Sequence, residues 1–477
     1  MNPNNEELDV LFVTPNNSRA IYQDLASSYS AIEPPTWSLL LAQSCRSKGY
    51  NVSILDSVAE GLSLEESYKR ILEMPSKLLC FVVYGQNVNA GTTSMSGATR
   101  LSNYLKEKNY KTPISYVGSH VQSLPIQTLE QEDSIDFVFT NEGVYSLHAI
   151  LGLKKINLES LSKVKGIALR INGKIQMNPP EKIVPQNKMD EDLPGYAWDL
   201  LPYKNKPLDL YRSPMWHAGY NKDKRSPYAA LQTSLGCQFS CDFCMINIIN
   251  RNDNEEIGVA GNYSSMRFWS PEFIIREFDK LIDMGVTTIR IVDEMFLLNK
   301  KYYLPLCEML AERNKSDQLM MWAYSRIDTI RRPEILKLVR KAGIKWLCLG
   351  IESGDKKVRL EVSKGKFEDV DVKQVIGNVH EADIDVMANY IFGLPGDNEQ
   401  TIMKTFELSK ELCTSGWNTY AAMALPGSKL YKTALEKGHK LPENYEGYSF
   451  HAYNTQPLPT EHLTPAEIVR LRDQCYI

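Results

Sequence analysis

Over the first 150 residues, short apolar runs alternate with longer stretches whose apolar residues recur at helical spacing. The runs "DVLFVTP" (9–15), "NVSILD" (51–56), "LLCFVVYG" (78–85), "ISYVG" (114–118) and "DFVFT" (136–140) are bounded and rich in Val, Ile and Phe. That is how strands buried on both faces of a parallel sheet read. Between them, "TWSLLLAQSCRSKGY", "SLEESYKRILEM" and "SGATRLSNYLKEKNY" have the period of helices. Five strands with helical crossovers predict a doubly wound α/β domain over residues 1–150. Such a sheet takes ligands outside the carboxyl ends of its strands. Those ends carry Thr14-Pro15-Asn16, the polar stretch "GQNVNAGTTSMSG" (85–97), Gly118-Ser119-His120 and Asn141-Glu142-Gly143. No G-x-G-x-x-G follows the first strand, so a dinucleotide is not supported.

The rhythm breaks over 151–227. "GIALRINGKIQMN" predicts a β-hairpin turning on Asn172-Gly173, and a Pro-, Lys- and Asp-rich stretch follows, so this region is expected to be a linker and extended arm. Alternation resumes over 228–440 with strands expected in "YAALQTS", "TTIRIVDEM" (287–295), "LMMWAYSRI" (319–327), "KWLCLGIES" (345–353), "DVMANYIFGLPG" (385–396) and "NTYAAMALPG" (418–427). Six such units suit a partial (β/α)6 barrel with its active site at the carboxyl ends of the strands. Residues 441–477 form a C-terminal extension expected to cover the barrel's open side. Tyr448, His451 and Tyr453 are its candidates to touch substrate, and the chain stops soon after a last helical pattern begins.

Composition changes this picture little: 477 residues, 43% hydrophobic and 23% charged, are ordinary for a globular chain with more than one core. A net charge of −4 with interspersed signs gives no nucleic-acid footprint. The N-terminus has neither a cationic nor an apolar targeting segment, and no apolar run is long enough for a membrane span, so a cytoplasmic protein without membrane partner is expected, as a monomer or weak oligomer. In a reducing compartment, clustered cysteines point to metal or chemistry rather than to a disulfide. The scattered Cys45, Cys80, Cys307, Cys348, Cys413 and Cys475 read as small core residues.

The cluster is "LGCQFSCDFCM", which places Cys237, Cys241 and Cys244 within eight residues, just after the first barrel strand. A structural zinc site wants four closed ligands, and no second Cys or His pair accompanies the triplet. Three thiolates can instead hold three irons of a [4Fe–4S] cube and leave the fourth open to chelate a substrate.

Cys237-x3-Cys241-x2-Cys244 after the first strand of a partial barrel resembles the signature of radical SAM enzymes. In that family the open iron binds the amino and carboxylate groups of S-adenosylmethionine, and an electron from the cluster cleaves it to a 5′-deoxyadenosyl radical. The resemblance implies that Phe243 packs near the adenine and that Asp293 and Glu294 accept from the methionine ammonium. Carboxylates suit a cation there; a solvated pair or a helix cap is the alternative. It further implies that Arg326 meets the SAM carboxylate or the substrate, with a structural ion pair as the other reading, and that Glu352 and Ser353 meet the ribose. "NYIFGLPG" (389–396) resembles the family's G-x-I-x-G-x-x-G segment near the adenine through Ile391, Gly393 and Gly396, with Asn389 in place of the first glycine.

A flavodoxin-like domain ahead of such a barrel resembles the cobalamin-binding class of this family over almost the whole chain. By that resemblance Pro15, Gln86, Asn87 and Asn89, with Gly118 and His120 of "VGSH" and Glu142 and Gly143 of "TNEG", are the candidate corrin contacts. Small and amide residues suit a flat macrocycle fringed with amides. No D-x-H-x-x-G carries a cobalt-ligating histidine, "DSVAEG" (56–61) having Val58 at that place, and His120 reads equally as a structural histidine.

The resemblance implies a methyltransferase that moves a methyl group from methylcobalamin to an unactivated carbon of a small biosynthetic intermediate, with an external one-electron reductant such as flavodoxin or ferredoxin. Its cofactors would be a [4Fe–4S] cluster, S-adenosylmethionine and cobalamin. A cobalamin-dependent rearrangement or cyclisation without methyl transfer is the rival within enzymes, and a zinc-stabilised binding protein the rival outside them.

Overall fold

The structure, a computed structural model, describes residues 7–17, 30–215, 226–362, 370–450 and 452–475. The chain forms two compact units, one of Met1–Arg225 with Met245–Tyr263 and one of Ser226–Cys244 with Ser264–Ile477.

In the first unit, β1 (Val10–Thr14), β2 (Val52–Asp56), β3 (Leu79–Val82), β4 (Ile114–Val117) and β5 (Phe137–Phe139) pair in parallel in the order β2-β1-β3-β4-β5. Nearly every residue of these strands is buried, as the unbroken apolar runs require of a sheet covered on both faces. The order reverses between β1 and β3, which opens the crevice where doubly wound sheets take ligands. The hairpin expected in the linker is present as β6 (Ile167–Ile171) and β7 (Lys174–Met177), turning on Asn172 and Gly173, both at positive φ. It is part of this unit: β6 pairs antiparallel with β5, so the hairpin continues the sheet to seven strands.

Residues 245–263, expected within the barrel, also pack in the first unit. They are held by Arg251, whose side chain has no exposure. Its guanidinium donates to the carbonyls of Gln122 and Glu255 and pairs with Asp253 at 3.2 Å, and the Gly258 N–H donates to the Ser123 carbonyl at 2.8 Å. A buried cation with this many acceptors is a fixed anchor.

In the second unit, β8 (Tyr228–Leu231), β11 (Thr288–Ile291), β12 (Met320–Arg326), β13 (Ile344–Glu352), β14 (Asp385–Phe392) and β15 (Gly416–Ala421) form a six-stranded parallel sheet in sequential order. Each strand lies within or overlaps a run read from the sequence. Between β8 and β11 lies an antiparallel pair the sequence does not announce, β9 (Ser234–Cys237) and β10 (Ser265–Phe268). The barrel helices start on conventional caps: Ser270 accepts from the Phe273 N–H ahead of Pro271–Asp283, and Asn398 forms a capping box with Thr401 ahead of Glu399–Leu412. Along β14 exposure alternates strictly. Val386, Ala388 and Tyr390 are buried under the helices, while Met387, Asn389 and Ile391 are half-exposed on the opposite, inner face. Of the scattered cysteines, Cys413 departs from the core reading: it caps the Glu399–Leu412 helix in a left-handed conformation and is exposed. No helix among the described residues is long and apolar enough to cross a membrane.

Candidate functional site

The cysteine loop is built as a strand end followed by a turn. Cys237 closes β9 opposite Ser265 and is buried, while Cys241 and Cys244 are half-exposed. The Phe239 N–H donates to Cys237 Sγ at 3.4 Å and the Cys244 N–H to the Cys241 carbonyl at 3.1 Å. Asp242 ties the turn to the barrel on two sides: its N–H donates to the Val362 carbonyl at 3.0 Å, and its carboxylate takes Lys429 Nζ at 3.0 Å. Burial pushes the Cys237 thiol up to about 12, eased by the Phe239 N–H and raised by Cys241 and Glu294, with Arg326 lowering it. Three sulfurs on one pinned loop, one of them disfavoured as a bare thiolate, fit an iron–sulfur cluster whose irons supply the missing positive charge. Among the described residues no three His, Cys, Asp or Glu side chains gather closely enough to hold a single metal ion.

Arg326 ends β12 and reaches the same loop. Its guanidinium donates to Cys241 Sγ at 3.9 Å, lies 3.9 Å from the centroid of the Phe239 ring, and forks onto Asp328 at 2.6 and 2.8 Å.

The two acids at the end of β11 have different surroundings. Asp293 is buried and accepts from the Thr233 N–H at 2.5 Å, the Thr233 hydroxyl at 2.7 Å and the Ser234 hydroxyl. Burial raises it to about 6 against the pull of those donors. Its acceptors are spent on fixing the start of β9. Glu294 is half-buried and accepts no hydrogen bond among the described residues; burial lifts it to about 7, with Arg290 lowering it and Asp293 raising it.

Glu352, at the end of β13, is the counterpart of Glu294. It has φ +66°, sits where the register with β14 slips between Gly350 and Glu352, and accepts no hydrogen bond among the described residues. A non-glycine residue held there costs about 1–2 kcal/mol, a strain found at functional sites. Burial raises it to about 7, opposed by Arg326 and Arg359 and helped by Asp328. A Cβ on Gly350 would stand 2.6 Å from Glu352 Oε1, so the glycine lets this carboxylate fold back over the strand. Ser353 is buried and turned inward, within 3.3 Å of the Thr405 hydroxyl and accepting from the Asp355 N–H at 3.1 Å.

Phe243 and Ile391 pack together against Val358, Val362, Leu394 and Ala422, an apolar wall made by the cysteine loop and the end of β14. Gly393, at φ +81°, faces Ile468, and a Cβ there would meet it at 2.8 Å. The turn is held by Asp397, which accepts from the Gly393 and Leu394 N–H groups at 3.0 Å each and from the Thr401 hydroxyl at 2.7 Å. Asn389, the departure from the glycine motif, accepts through Oδ1 from Asn418 Nδ2 at 3.2 Å and the Tyr420 hydroxyl at 3.3 Å. Of the tail candidates, Tyr448 is buried, Tyr453 is 83% exposed, and His451 lies outside the described residues.

In the first unit, the strand ends divide into residues facing the crevice and residues facing the protein. Asn16, Asn17, Gln86, Asn87 and Asn89 are half-exposed, and Gln86 makes no hydrogen bond among the described residues. Asn87 caps the short turn at Ala90, and Asn89 Oδ1 accepts from the Met245 N–H at 3.0 Å. Pro15 is buried behind them. Gly118 brings backbone against backbone, since a Cβ there would lie 2.5 Å from the Val83 carbonyl oxygen. An amide-fringed rim over closely packed backbone fits a large, flat, amide-bearing ligand.

His120 is buried, with Nδ1 3.1 Å from the Thr92 hydroxyl, and burial pulls it down to about 4, so it is a neutral, inward-facing imidazole. Glu142 is buried and accepts from the Val184 N–H at 2.6 Å; Asn141 donates to the Glu181 carbonyl at 2.7 Å and accepts from the Gly143 N–H at 3.0 Å. The "TNEG" turn therefore clamps the 181–184 segment. Gly143 is at φ +83° at the start of the following helix.

A three-cysteine loop following the first strand of a six-stranded parallel barrel, with unspent carboxylates at the neighbouring strand ends, is the arrangement of a radical SAM enzyme. Residues 231–409 match the Radical SAM superfamily model. Over 475 residues the chain is 24% identical to an uncharacterized methyltransferase of Pyrococcus horikoshii, covering 98% of this chain and 92% of that one. It is 22% identical to the anaerobic magnesium-protoporphyrin IX monomethyl ester cyclase of Cereibacter sphaeroides, over 96% of this chain and 68% of that one. Its fold is similar to that of the radical S-adenosylmethionine methyltransferase TsrM from Kitasatospora setae, solved with cobalamin and a [4Fe–4S] cluster bound. The TM-score is 0.67 at 13% identity, over 92% of this chain and 76% of that one. These matches carry the enzyme class and not the zinc-stabilised binding module.

Proposed function

We propose that this enzyme is a cobalamin-dependent radical SAM methyltransferase acting on an unactivated carbon of a small molecule. The observation that carries the reading is the convergence of Cys237, Cys241, Arg326 and Glu294 on one loop of the barrel. When bound, the cluster and S-adenosylmethionine supply a 5′-deoxyadenosyl radical for hydrogen abstraction and cobalamin supplies the methyl group.

The chain's own part is to hold and orient. Cys237, Cys241 and Cys244 bind the cluster; Glu294 accepts from the methionine ammonium, Glu352 from the ribose hydroxyls, and Phe243 with Ile391 walls the adenine. Asp293, Ser353 and Asp397 act behind these groups by fixing the loops that carry them. In the first unit Gln86, Asn87 and Asn89 face the corrin amides, Gly118 lets the strand end pack against the Val83 carbonyl, and His120 is buried beside the Thr92 hydroxyl. Electrons come from a cytoplasmic one-electron donor of the flavodoxin or ferredoxin kind.

The likeness to an anaerobic cyclase supports a second reading, ring formation without methyl transfer. Purified, anaerobically reconstituted protein given S-adenosylmethionine, cobalamin and a reductant separates them. Methyl transfer yields both S-adenosylhomocysteine and 5′-deoxyadenosine, and 5′-deoxyadenosine alone refutes it.

A further inference from the structure

Arg326 stands where the family resemblance puts a partner for the SAM carboxylate, yet its donors point elsewhere. Nε and Nη2 fork onto Asp328 at 2.6 and 2.8 Å, and Nη1 approaches Cys241 Sγ at 3.9 Å. Both charged side chains of the pair are almost fully buried, with 5% and 6% exposure. One face of the guanidinium is covered by the Phe239 ring. Phe239 belongs to the cysteine loop, so the loop both supplies a sulfur to this cation and shields it from water. The turn that carries Asp328 is itself locked, by the Thr329 hydroxyl donating to the Arg326 carbonyl at 2.8 Å and lying 2.8 Å from the Ser325 hydroxyl. The titratable groups around the guanidinium are Asp328, Cys241, Glu352 and Cys237.

We infer that Arg326 is a positioning residue that sets the reduction potential of the iron–sulfur cluster, with Asp328 as its counterweight. The inference rests on the reading of Cys237, Cys241 and Cys244 as cluster ligands. Reduction adds one negative charge to the cluster. A buried cation donating to a ligand sulfur stabilises the reduced form more than the oxidised form and so raises the potential. Low exposure matters here, because a charge shielded from solvent keeps its effect at short range. Asp328 partly cancels that charge while holding the guanidinium in the plane that meets the sulfur. The two side chains therefore act in opposite directions on one quantity, which a merely structural pair would not do.

The test is a redox titration of the cluster by electron paramagnetic resonance, on the full-length protein reconstituted anaerobically and kept free of S-adenosylmethionine. Arg326→Met is expected to move the midpoint to more negative potential and Asp328→Asn to more positive, with Arg326→Lys falling between wild type and Arg326→Met. Unmoved midpoints in variants that retain the cluster, or shifts of the same sign in both, overturn the inference. So does an Arg326→Met protein whose midpoint is unchanged but whose affinity for S-adenosylmethionine falls, since Arg326 then serves the SAM carboxylate. If Arg326→Met fails to hold iron, Asp328→Asn decides alone, and an unshifted midpoint there refutes it. Failure of the wild-type protein to assemble any cluster instead refutes the cluster reading.

Discussion

Replacing Asp293 by Asn tests whether this acid serves the fold while its neighbour serves the ligand. Asp293 is 3% exposed, and burial raises it from an ordinary 3.8 to about 6. Because the folded pKa is raised, the native state holds the proton more tightly than the unfolded chain. Stability is therefore greatest at low pH and falls as pH rises through the window from about 4 to about 6. At about 1.4 kcal/mol per unit, the ionised group costs roughly 3 kcal/mol above that window. Roughly 1 kcal/mol of this is already present at pH 4.5, and about 2 kcal/mol develops between pH 4.5 and 7.5. Asn cannot ionise, so the stability of the variant relative to wild type should move by about 2 kcal/mol in its favour over that interval, whatever the fixed cost of losing an acceptor. Urea unfolding of both proteins at the two pH values, under anaerobic conditions, reads this directly. A difference that changes by less than about 0.5 kcal/mol would show that Asp293 is not the buried, proton-retaining group described here. Glu294→Gln is the control: it should leave iron content intact and weaken binding of S-adenosylmethionine about 10-fold, the value of one charge-assisted hydrogen bond at roughly 1.5 kcal/mol.

Three further outcomes are expected. Gly118→Ala forces a Cβ to 2.5 Å from the Val83 carbonyl oxygen and should destabilise the first unit by about 2 kcal/mol or more, seen as a lowered thermal midpoint. Gly393→Ala carries two costs, the left-handed φ at about 1 kcal/mol and the contact with Ile468; Ile468→Ala added to it should remove only the second, so chemical denaturation of the double variant will show less than additive loss. Tyr211→Phe removes the 2.9 Å hydrogen bond to buried Asp56, whose carboxyl burial raises to about 6. Its stability cost should grow as pH rises through 6, from below about 1 kcal/mol to about 2, because the ionised carboxylate loses a donor that the neutral acid needs less.

The strands of both sheets were legible in the sequence because burial writes itself as bounded apolar runs, and the cysteine loop because its spacing is rare. What was not legible depends on contacts between distant residues. The β9–β10 pair joins segments almost thirty residues apart, and neither "SLGC" nor "SMRF" carries a period that announces it. The sequence shows Asp293 and Glu294 as adjacent acids; only the placement of Thr233 and Ser234 separates a spent carboxylate from an unspent one. His120 and Glu142 follow the strand ends but are buried, His120 in the first turn of the Ser119–Ser123 helix beside Thr92 and Glu142 against the Val184 N–H, contacts that the sequence does not show. Asp397 carried a faint signal, an acid directly after the Gly393-Leu394-Pro395-Gly396 turn and ahead of a helix. The positive φ of Glu352 carried none, because it follows from a slip in register with β14.

The passage of the chain from Cys244 into residues 245–263 and back has a consequence for how the protein is made. The first unit lacks its Arg251 anchor until synthesis has passed residue 263, by which point the cysteine loop and the opening strand of the second unit have already been added. A fragment cut at the end of the arm would leave the Gln122 and Ser123 carbonyls without the donors that cover them. A boundary drawn at the end of the arm therefore does not separate the units, because the first is completed only by residues 245–263.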